Sequence, residues 1–517
     1  MARLTALLSQ LLALGVWVSA PSLTFAQEAE EAVAAQRGSG SAQVACTLLK
    51  WKYPAQTLFN GTDGYTYESE TQYWSARNHQ EPACIFVPQN AQQVSFAVTT
   101  FTLTLTRFAV RGGGHMPIVG SNSIGSDGIL LSTSGLSGLS LNGDKSVVSV
   151  GAGNRWRDVY GFLQPHSLAA VGGRIGGVGV AGLLLGGGIS FHSSQYGFAS
   201  DNVVRYEAIL SSGAVVEVTA TNAYKDLFWA LRGGGNSFAI VTRFDLRTVP
   251  SSKVWVGISQ YSPADSTAYL DAVYNFGKFG SADAKAAIIP TILTVPSFGL
   301  TAYAAARFYD SEQAPATAFK NFTAPVLTPV DDSVALQPLA DYIRATDALQ
   351  PTGLRQEFRV LSILANRDAV SLIHDNFLAA AAGLASIPGL LASISFQPVT
   401  PGFLQNGQRR AGPNPQGIDV AKAPYFWIVL NVSWQSSTDD AAAVSFAESI
   451  TAQLETSLAS KGVSGGYLYL NDAGPGQPVF ESYPPANLAR LKTIRWKYDP
   501  LKIYTNLLAG GWKVANS

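Results

Sequence analysis

The chain has 517 residues with 35 basic and 35 acidic side chains, so its formal net charge is zero. A neutral chain without a cluster of Lys and Arg lacks the basic surface that nucleic-acid binding requires. The apolar fraction of 47% argues against disorder and allows a large core, and the length predicts about two to four domains.

The N-terminus predicts a secretory signal peptide. Arg3 supplies a positive charge, an uncharged apolar stretch follows from Leu4 to Val18, and small residues at Thr24 and Ala26 allow cleavage. An uncleaved membrane anchor is the alternative, but this apolar stretch is short for a membrane span and contains polar residues. We therefore expect a signal peptide over residues 1–26, a secreted mature protein and no membrane attachment after cleavage.

Two further features fit secretion. The chain has only two cysteines, Cys46 and Cys84, and in a secreted protein an isolated pair predicts one disulfide bond. Motifs for N-glycosylation lie at Asn60, Asn321 and Asn431. Asn60 lies among turn residues and is a good candidate for a glycan, whereas the apolar surroundings of Asn431 predict a buried, unmodified side chain.

The first half of the mature chain alternates predicted strands and helices with glycine-rich loops. Helical spacing of apolar residues runs over 90–105, and a short strand at 108–110 leads into the loop Arg111–His115. Further predictions are a strand at 146–150, a helix at 156–163, a hairpin of strands 205–210 and 214–219, a helix at 226–230 and a strand at 240–246. Between Arg111 and Ser190 lie 21 of the 49 glycines.

The composition changes near Pro250. Beyond it the pattern predicts strands at 255–261 and 425–435, helices at 368–381 and around 446–458, and a strand-like segment at 467–471. The chain therefore reads as an α+β protein, with a glycine-rich first domain followed by a second, more ordinary domain.

Two short motifs match known patterns but lack the required context. Gly177–Gly182 matches the dinucleotide pattern G-x-G-x-x-G, but the triple glycine from Gly186 would end the required helix within two turns. Gly462–Gly466 matches the nucleophile pattern G-x-S-x-G, which needs a strand before it and a helix after it. Here a helix precedes and a strand-like segment follows, which indicates a helix-to-strand turn. The five histidines show no metal-ligand spacing, so no metal is expected.

The loop Arg111–His115 is more informative, because it follows a predicted strand. Successive glycines let backbone N–H groups turn inward and hold phosphate oxygens without obstruction by side chains. A histidine at the end of such a loop would lie close to the bound cofactor. The alternative is a set of tight turns with a hydrogen-bonded histidine, which would be preferred if this loop stood alone.

Together, the glycine loops resemble those of the berberine bridge enzyme-like flavoproteins of the vanillyl-alcohol oxidase superfamily, whose FAD lies in a PCMH-type domain. The motifs that carry the resemblance, from about Cys46 to the C-terminus, are Pro82–Cys84, Arg111–His115, Asp127-Gly128, Val178–Val180, Gly186–Gly188, Tyr196-Gly197, Asp201–Val203, Gly234–Phe238 and Tyr498–Pro500. The resemblance implies an α+β fold of two domains: a PCMH-type FAD-binding domain (80–250) and a substrate domain with a large antiparallel sheet covered by helices (251–460). An N-terminal segment (27–79) and a C-terminal segment (461–517) would pack on the FAD domain.

The same resemblance implies a site. His115 corresponds to the histidine that bonds covalently to the flavin 8α-methyl, and Val178 to the oxygen-gate position, where a small side chain is associated with oxidase activity. The FAD-binding residues that it implies are Arg111, Gly112, Gly113, Gly114, His115, Gly120, Ser121, Gly173, Gly177, Val178, Gly179, Gly182, Asn202, Ile240, Val241 and Asn471. Tyr469 and Tyr196 are the candidate catalytic residues, and His192 could line the site, although a structural histidine is favoured.

The sequence also departs from the family. Many relatives carry a cysteine in the loop that here reads Arg174–Gly177, so we expect attachment through His115 alone. Met116 replaces the usual serine after the loop histidine.

The function that follows is a secreted FAD-dependent oxidase. It would transfer hydride from a small organic substrate, such as a secondary metabolite, alcohol or phenol, to covalent FAD and then to O2. The alternatives are a carbohydrate oxidase that acts on the C1 hydroxyl of an oligosaccharide and, in another class, a catalytically inactive glycosylated binding protein.

Overall fold

The computed structural model describes residues 40–279, 282–315, 317–347, 350 and 352–517. The predicted signal peptide, residues 1–26, and the residues up to 39 lie outside this part. In the described ranges no helix is long and apolar enough to cross a membrane. Within the same ranges, no group of three or more His, Cys, Asp or Glu side chains could hold a metal ion.

A small four-stranded sheet begins the fold. Its strands are β1 (Thr57–Leu58), β2 (Cys84–Phe86), β3 (Arg107–Arg111) and β4 (Gly128–Ser132), in the order β1-β2-β4-β3. β4 runs parallel to both β2 and β3, while β1 pairs antiparallel with β2. The helices before and beside it are α1 (residues 40–52), α2 (Asp63–Thr66) and α3 (Ala91–Thr104). Because β3 ends at Arg111, the glycine loop starts at the end of a buried strand.

A six-stranded antiparallel sheet follows. Its strands are β5 (Leu139–Leu141), β6 (Val147–Gly151), β7 (Leu168–Ala170), β8 (Val203–Ile209), β9 (Val215–Thr219) and β10 (Ile240–Pro250), in the order β5-β6-β10-β8-β9 with β7 on β10. The helices of this part are α4 (Trp156–Leu163), α5 (Val180–Leu185), α6 (Ser193–Tyr196) and α7 (Lys225–Ala230). The predicted hairpin is confirmed as β8 and β9, joined by Ser211–Gly213.

An antiparallel sheet of eight strands dominates the second half. Its strands are β11 (Val254–Tyr261), β12 (Ala286–Val295), β13 (Leu300–Tyr309), β14 (Asp331–Asp332), β15 (Ala335–Gln337), β16 (Arg355–Leu364), β17 (Leu391–Val399) and β18 (Tyr425–Trp434). One face packs on three long helices, α8 (Ser266–Phe279), α10 (Arg367–Ala381) and α12 (Asp440–Ser460); α9 (Leu339–Asp347) and α11 (Pro401–Ala411) lie elsewhere in this half. The expected large antiparallel sheet covered by helices is thus confirmed.

Successive side chains of the large sheet face opposite sides. On β18, Phe426, Ile428 and Leu430 belong to the core beneath the helices, whereas Trp427 belongs to the core shared with the first half. Asn431 therefore points toward the first half, because residues two apart in a strand share a face. This face of the sheet covers the glycine loops.

The last part of the chain returns to the first half. It carries α13 (Pro485–Tyr498) and α14 (Ile503–Asn506), and the backbone N–H of Phe108 in β3 donates to the carbonyl of Leu507 at 2.9 Å. The strand predicted at 467–471 is wrong: this segment is irregular and passes into a short 3-10 helix at Leu470–Asp472. Its side chains are held by contacts with other segments, so its apolar residues need no strand partner.

The three glycosylation motifs differ in exposure. Asn60 is exposed in a turn and Asn321 is partly exposed in a short 3-10 helix. Asn431 lies within β18, and its Oδ1 is buried without a hydrogen-bond partner. Glycosylation at these motifs stays a prediction. Asn60 is the favoured site, and Asn431 is expected to remain unmodified.

The predicted disulfide is present and joins Cys46 in α1 to Cys84 in β2, 38 residues apart. Both cysteines are fully buried. Replacing both by serine should lower the free energy of unfolding by about 3–4 kcal/mol, because the cross-link no longer restricts the unfolded chain. Urea unfolding of the double variant, compared with the oxidised wild type, measures this loss. An unchanged urea midpoint would contradict a stabilising cross-link.

Candidate active site

The backbones of two glycine loops lie directly against each other. A Cβ on Gly113 would overlap the backbone of Gly179, and a Cβ on Gly179 would lie 2.7 Å from the Cα of Gly113. Contacts this short are not found for real side chains, so only glycine fits at both positions. The approach brings the loop after β3 against the loop that leads into α5.

The N-terminal segment supports the first loop from the other side. Gly114 has φ +71°, and a Cβ there would overlap the carbonyl oxygen of Gln72. The carbonyl of Gly114 accepts a hydrogen bond from the backbone N–H of Trp74 at 3.1 Å. In the described part of the chain, the N–H groups of Gly113, Gly114 and His115 donate no backbone hydrogen bond. They are free to bind an anion, as expected for a phosphate-binding loop.

His115 follows these free N–H groups. Its ring stacks on Trp74 with 4.3 Å between centroids and 10° between planes, and Trp74 lies 5.2 Å from Phe358 of β16. Burial lowers the pKa of His115 to about 4, and the nearby Arg155 guanidinium contributes to this shift. The imidazole is therefore neutral at physiological pH, the form whose nitrogen can make a covalent bond.

Arg155 connects the second glycine loop to the N-terminal segment at Gln72. One guanidinium nitrogen donates to the carbonyl of Gly177 at 2.8 Å, and the other donates to the carbonyl and the side-chain oxygen of Gln72 at 3.0 and 2.7 Å. The arginine thus fixes the segment under His115 to the loop beside it.

The side chain of Arg111 has a structural partner. Its buried guanidinium pairs with the carboxylate of Glu68 and donates to the hydroxyl of Ser132 at 2.5 Å. The second carboxylate oxygen of Glu68 accepts from Ser134 at 2.7 Å. Burial lowers the pKa of Arg111 to about 9. Because this carboxylate neutralises the guanidinium, only the backbone of Arg111 remains as a candidate for contact with a phosphate.

The second glycine loop packs on α4 and leads into α5. Tyr160 donates to the carbonyl of Gly173 at 2.9 Å, and the backbone N–H of Trp156 donates to the carbonyl of Val178 at 3.0 Å. α5 has only six residues and ends before Gly186, which confirms that G-x-G-x-x-G does not open a long Rossmann helix here. Gly182 lies within α5 and is exposed, and a Cβ added to it would have no atom within 4 Å.

A third element, Gly120-Ser121, lies against the C-terminal segment at Gly510. The hydroxyl of Ser121 and the Oδ1 of Asn122 are buried without hydrogen-bond partners within the described residues. Buried polar atoms are normally paired, so these two atoms fit a site that a polar ligand completes.

These features fit FAD. Free N–H groups at Gly113–His115 suit a diphosphate, the unpaired atoms at Ser121 and Asn122 suit polar groups of a nucleotide, and the open side of Gly182 leaves room beside α5. The neutral imidazole of His115 is in the form that a covalent attachment needs.

Tyr469 and Asn471 reach this region from the C-terminal segment. The hydroxyl of Tyr469 accepts from the backbone N–H of Ile189 at 3.1 Å and from the amide of Asn471 at 3.0 Å. The same amide donates to the carbonyl of Leu183 in α5 at 3.0 Å. Burial raises the pKa of Tyr469 above its ordinary value, so the phenol keeps its proton. This environment suits a hydrogen-bond donor better than a base.

Four other predicted residues have no direct contact with His115 in the described chain. Tyr196, in α6, has the guanidinium of Arg410 at 5.0 Å over its ring, and Asn202 donates to the carbonyl of Tyr196 at 3.1 Å. Ile240 and Val241 pair with Ile209 and Ala208 in the six-stranded sheet. No hydrogen bond, ion pair or ring contact within the described residues joins Tyr196, Asn202, Ile240 or Val241 to His115. Their assigned roles stay predictions, as do those of the other site residues.

His192 contacts other residues than His115. The ring is fully buried, edge-on to Phe308 with centroids 5.0 Å apart, and its Nε2 lies 3.8 Å from an oxygen of Asp310. The nearby carboxylate of Asp310 and the packing on Phe308 fit the structural role that is favoured for this histidine, and that role stays a prediction.

Sequence reasoning missed several residues of the site. Trp74, Glu68 and Arg155 hold the glycine loops, and Arg174, Gln397 and Asp472 form a polar cluster between the two halves. No sequence signal connects them, because they come from segments that are distant along the chain and are brought together only by the fold.

Gly182 allows a test of the cofactor fit. Replacing it by alanine should stabilise the flavin-free protein by up to about 1 kcal/mol, because alanine favours a helix, while the added methyl group weakens FAD binding. Gly161 in α4 is the matched control, since it lies in a helix and a Cβ added to it would also have no atom within 4 Å. Thermal unfolding and flavin content of both variants are the measurements. Equal flavin content in G182A and G161A would contradict the fit.

Comparisons with known proteins support an FAD-binding domain in this chain. A family model described as an FAD binding domain matches residues 82–219. An FAD-dependent monooxygenase from Penicillium roqueforti is 34% identical over 485 residues, covering 92% of this chain and 94% of that protein. An FAD-dependent monooxygenase from Penicillium terrestre is 30% identical and covers 98% of both chains.

Solved structures share the fold. 6-Hydroxy-D-nicotine oxidase from Arthrobacter nicotinovorans superposes with a TM-score of 0.72 at 19% identity, covering 87% of this chain and 96% of that one. Berberine bridge enzyme from Eschscholzia californica gives a TM-score of 0.71 at 15% identity, covering 89% and 97%. With the motifs and the curated relatives, these likenesses identify the chain: it belongs to the berberine bridge enzyme-like family of FAD-dependent oxidoreductases in the vanillyl-alcohol oxidase superfamily.

Proposed function

We propose that this oxidoreductase is a secreted oxidase of a small organic substrate, with FAD attached covalently through His115 alone. The observation that carries the proposal is the position of His115, whose ring is stacked on Trp74 at the end of a loop with free backbone N–H groups. A structure of glucooligosaccharide oxidase from Acremonium strictum, similar in fold, is described as holding a 6-S-cysteinyl, 8α-N1-histidyl FAD. This chain has a histidine but no cysteine in the corresponding loops.

The chemistry that FAD supplies when bound is the acceptance of a hydride from the substrate. The substrate loses two electrons and two protons, and O2 as acceptor would take them up as hydrogen peroxide. Val178, which corresponds to the oxygen-gate position, is a small residue and supports O2 as the acceptor.

The residues of this chain bind the cofactor and fix the groups around it. Gly113, Gly114 and His115 offer N–H groups to the diphosphate, and Arg155 ties the second glycine loop to the segment at Gln72. Tyr469 keeps its proton and can donate a hydrogen bond, while its hydroxyl oxygen is fixed by Ile189 and Asn471.

The large sheet supplies the polar groups that we assign to substrate binding. Thr291 of β12 and Ser395 of β17 share a hydrogen bond of 2.8 Å between their hydroxyls, and the amide oxygen of Asn431 on β18 lacks a partner. These polar groups lie on neighbouring strands, and Asn431 faces the glycine loops. They suit a substrate with hydroxyl or carbonyl groups.

The names of the relatives favour a second candidate, a monooxygenase. Both Penicillium proteins carry that description. The carbohydrate oxidase remains a weaker alternative, since the structural similarity to chitooligosaccharide oxidase is at 17% identity and concerns the fold alone.

Secretion is supported by two features of the described chain. The Cys46–Cys84 disulfide is the kind of cross-link that persists in oxidising compartments, and the Asn60 motif is exposed. Together with the predicted signal peptide they form the basis of this part of the proposal.

The His115 attachment has a simple test. Purified wild-type protein should be yellow, and the colour should remain with the protein after acid precipitation because the flavin is covalent. His115→Ala should release its flavin into the supernatant under the same treatment. Thermal unfolding of the variant serves as the control for folding. Flavin in the wild-type supernatant would refute the covalent bond, and a colourless wild-type protein would favour the inactive binding protein.

The acceptor is tested with a panel of alcohols, phenols and oligosaccharides under air. An oxidase should release one hydrogen peroxide for each molecule of the compound that bleaches the flavin absorbance. Mass spectrometry of the product formed under ¹⁸O2 should show no incorporated oxygen. An ¹⁸O-labelled product without peroxide would instead establish the monooxygenase.

A further inference from the structure

Arg174 extends from the second glycine loop toward the large sheet. Its guanidinium donates to the side-chain oxygen of Gln397 on β17. The side chain is half-buried, and protein surrounds it closely enough for burial to lower the pKa of Arg174. Tyr160, Tyr342 and Tyr469 are near enough to influence its charge. Arg174 therefore lies where the second glycine loop meets the large sheet.

Three buried arginines of the described chain have carboxylate partners, while the fourth, Arg495, donates to the backbone carbonyl of Asp499. Arg111 pairs with Glu68, and Arg232 lies 3.3 Å from Asp201. A buried charge without a counterion is costly, so such pairing is the usual arrangement. Arg174 has no ion pair with any carboxylate in the described residues, and its hydrogen bond to Gln397 uses one of its five N–H groups.

Gln397 separates Arg174 from the nearest carboxyl group that affects it. The amide nitrogen of Gln397 donates to Oδ2 of Asp472 at 2.6 Å, while its oxygen faces Arg174. Burial raises the pKa of Asp472 above its ordinary value. The carboxyl group of Asp472 thus offsets the charge of Arg174 only through Gln397. The remaining N–H groups of Arg174 stay available for a ligand.

We propose that Arg174 binds a carboxylate of the substrate, so that the enzyme acts on an organic acid rather than on a neutral alcohol or sugar. A guanidinium presents paired N–H groups that match the two oxygens of a carboxylate. This inference rests on the proposed function, because it assigns one end of the substrate to the loop that runs along the flavin. The rest of the substrate then lies along the polar face of β12, β17 and β18.

The test compares two probes of the same shape and different charge. Flavin-loaded protein is titrated with benzoate and with benzamide, and binding is followed by the flavin absorbance difference and by calorimetry. Benzoate should bind at least tenfold more tightly than benzamide. Arg174→Met should weaken benzoate at least tenfold and leave benzamide unchanged, with Arg174→Lys between the two.

Two further variants sharpen the result. Asp472→Asn should tighten benzoate several-fold, because it removes the carboxyl group that competes for the positive charge. Arg344→Met removes the same charge from the exposed face of α9 and should change neither affinity. Retention of flavin and an unchanged visible spectrum in Arg174→Met show that the site is otherwise intact.

Three results would overturn the proposal. Equal affinities of the wild type for benzoate and benzamide would do so, as would an Arg344→Met variant that weakens benzoate as much as Arg174→Met. Loss of flavin from Arg174→Met with an unchanged affinity ratio would assign the arginine to the cofactor instead. A flavin-free wild type refutes the proposed function, and calorimetry with the same probes still decides whether Arg174 binds a carboxylate.

Discussion

The contact between the backbones of Gly113 and Gly179 is the constraint on which the site depends. It allows the loop after β3 to press against the loop before α5, and a single methyl group at either position would force them apart. Arg155 fixes this arrangement to the segment at Gln72, and Trp74 then supports the ring of His115. A histidine at the end of a glycine-rich loop thereby acquires a fixed position next to free N–H groups.

The zero net charge of the chain is consistent with this arrangement. Backbone N–H groups can hold a diphosphate without cationic side chains, and the one arginine in the first loop is already neutralised by Glu68. Arg174 is the contrasting case, because its guanidinium lies between the two halves with no carboxylate paired to it in the described chain. The charge of Arg111 thus has a structural partner, whereas the charge of Arg174 is available to a ligand.

The sequence predicted those parts of the fold that have a local signal. Helix α3, the β8–β9 hairpin and the Cys46–Cys84 bond follow from periodicity, turn residues and cysteine number. The role of His115 follows from the family resemblance and stays a prediction. The segment 467–471 was misassigned because its alternating apolar residues are buried by distant elements rather than by a strand partner. Trp74, Glu68 and the Arg174–Gln397–Asp472 cluster could not be predicted, since tertiary contacts between remote segments define them.

Peptide mass spectrometry of the purified protein tests the covalent attachment most directly. Trypsin cleaves after Arg111 and Lys145, so His115 lies in the peptide 112–145. We expect this peptide, and no other, to carry the additional mass of a covalently bound flavin. An unmodified 112–145 peptide from yellow protein, or flavin on a different peptide, would contradict the assignment of His115 as the attachment residue.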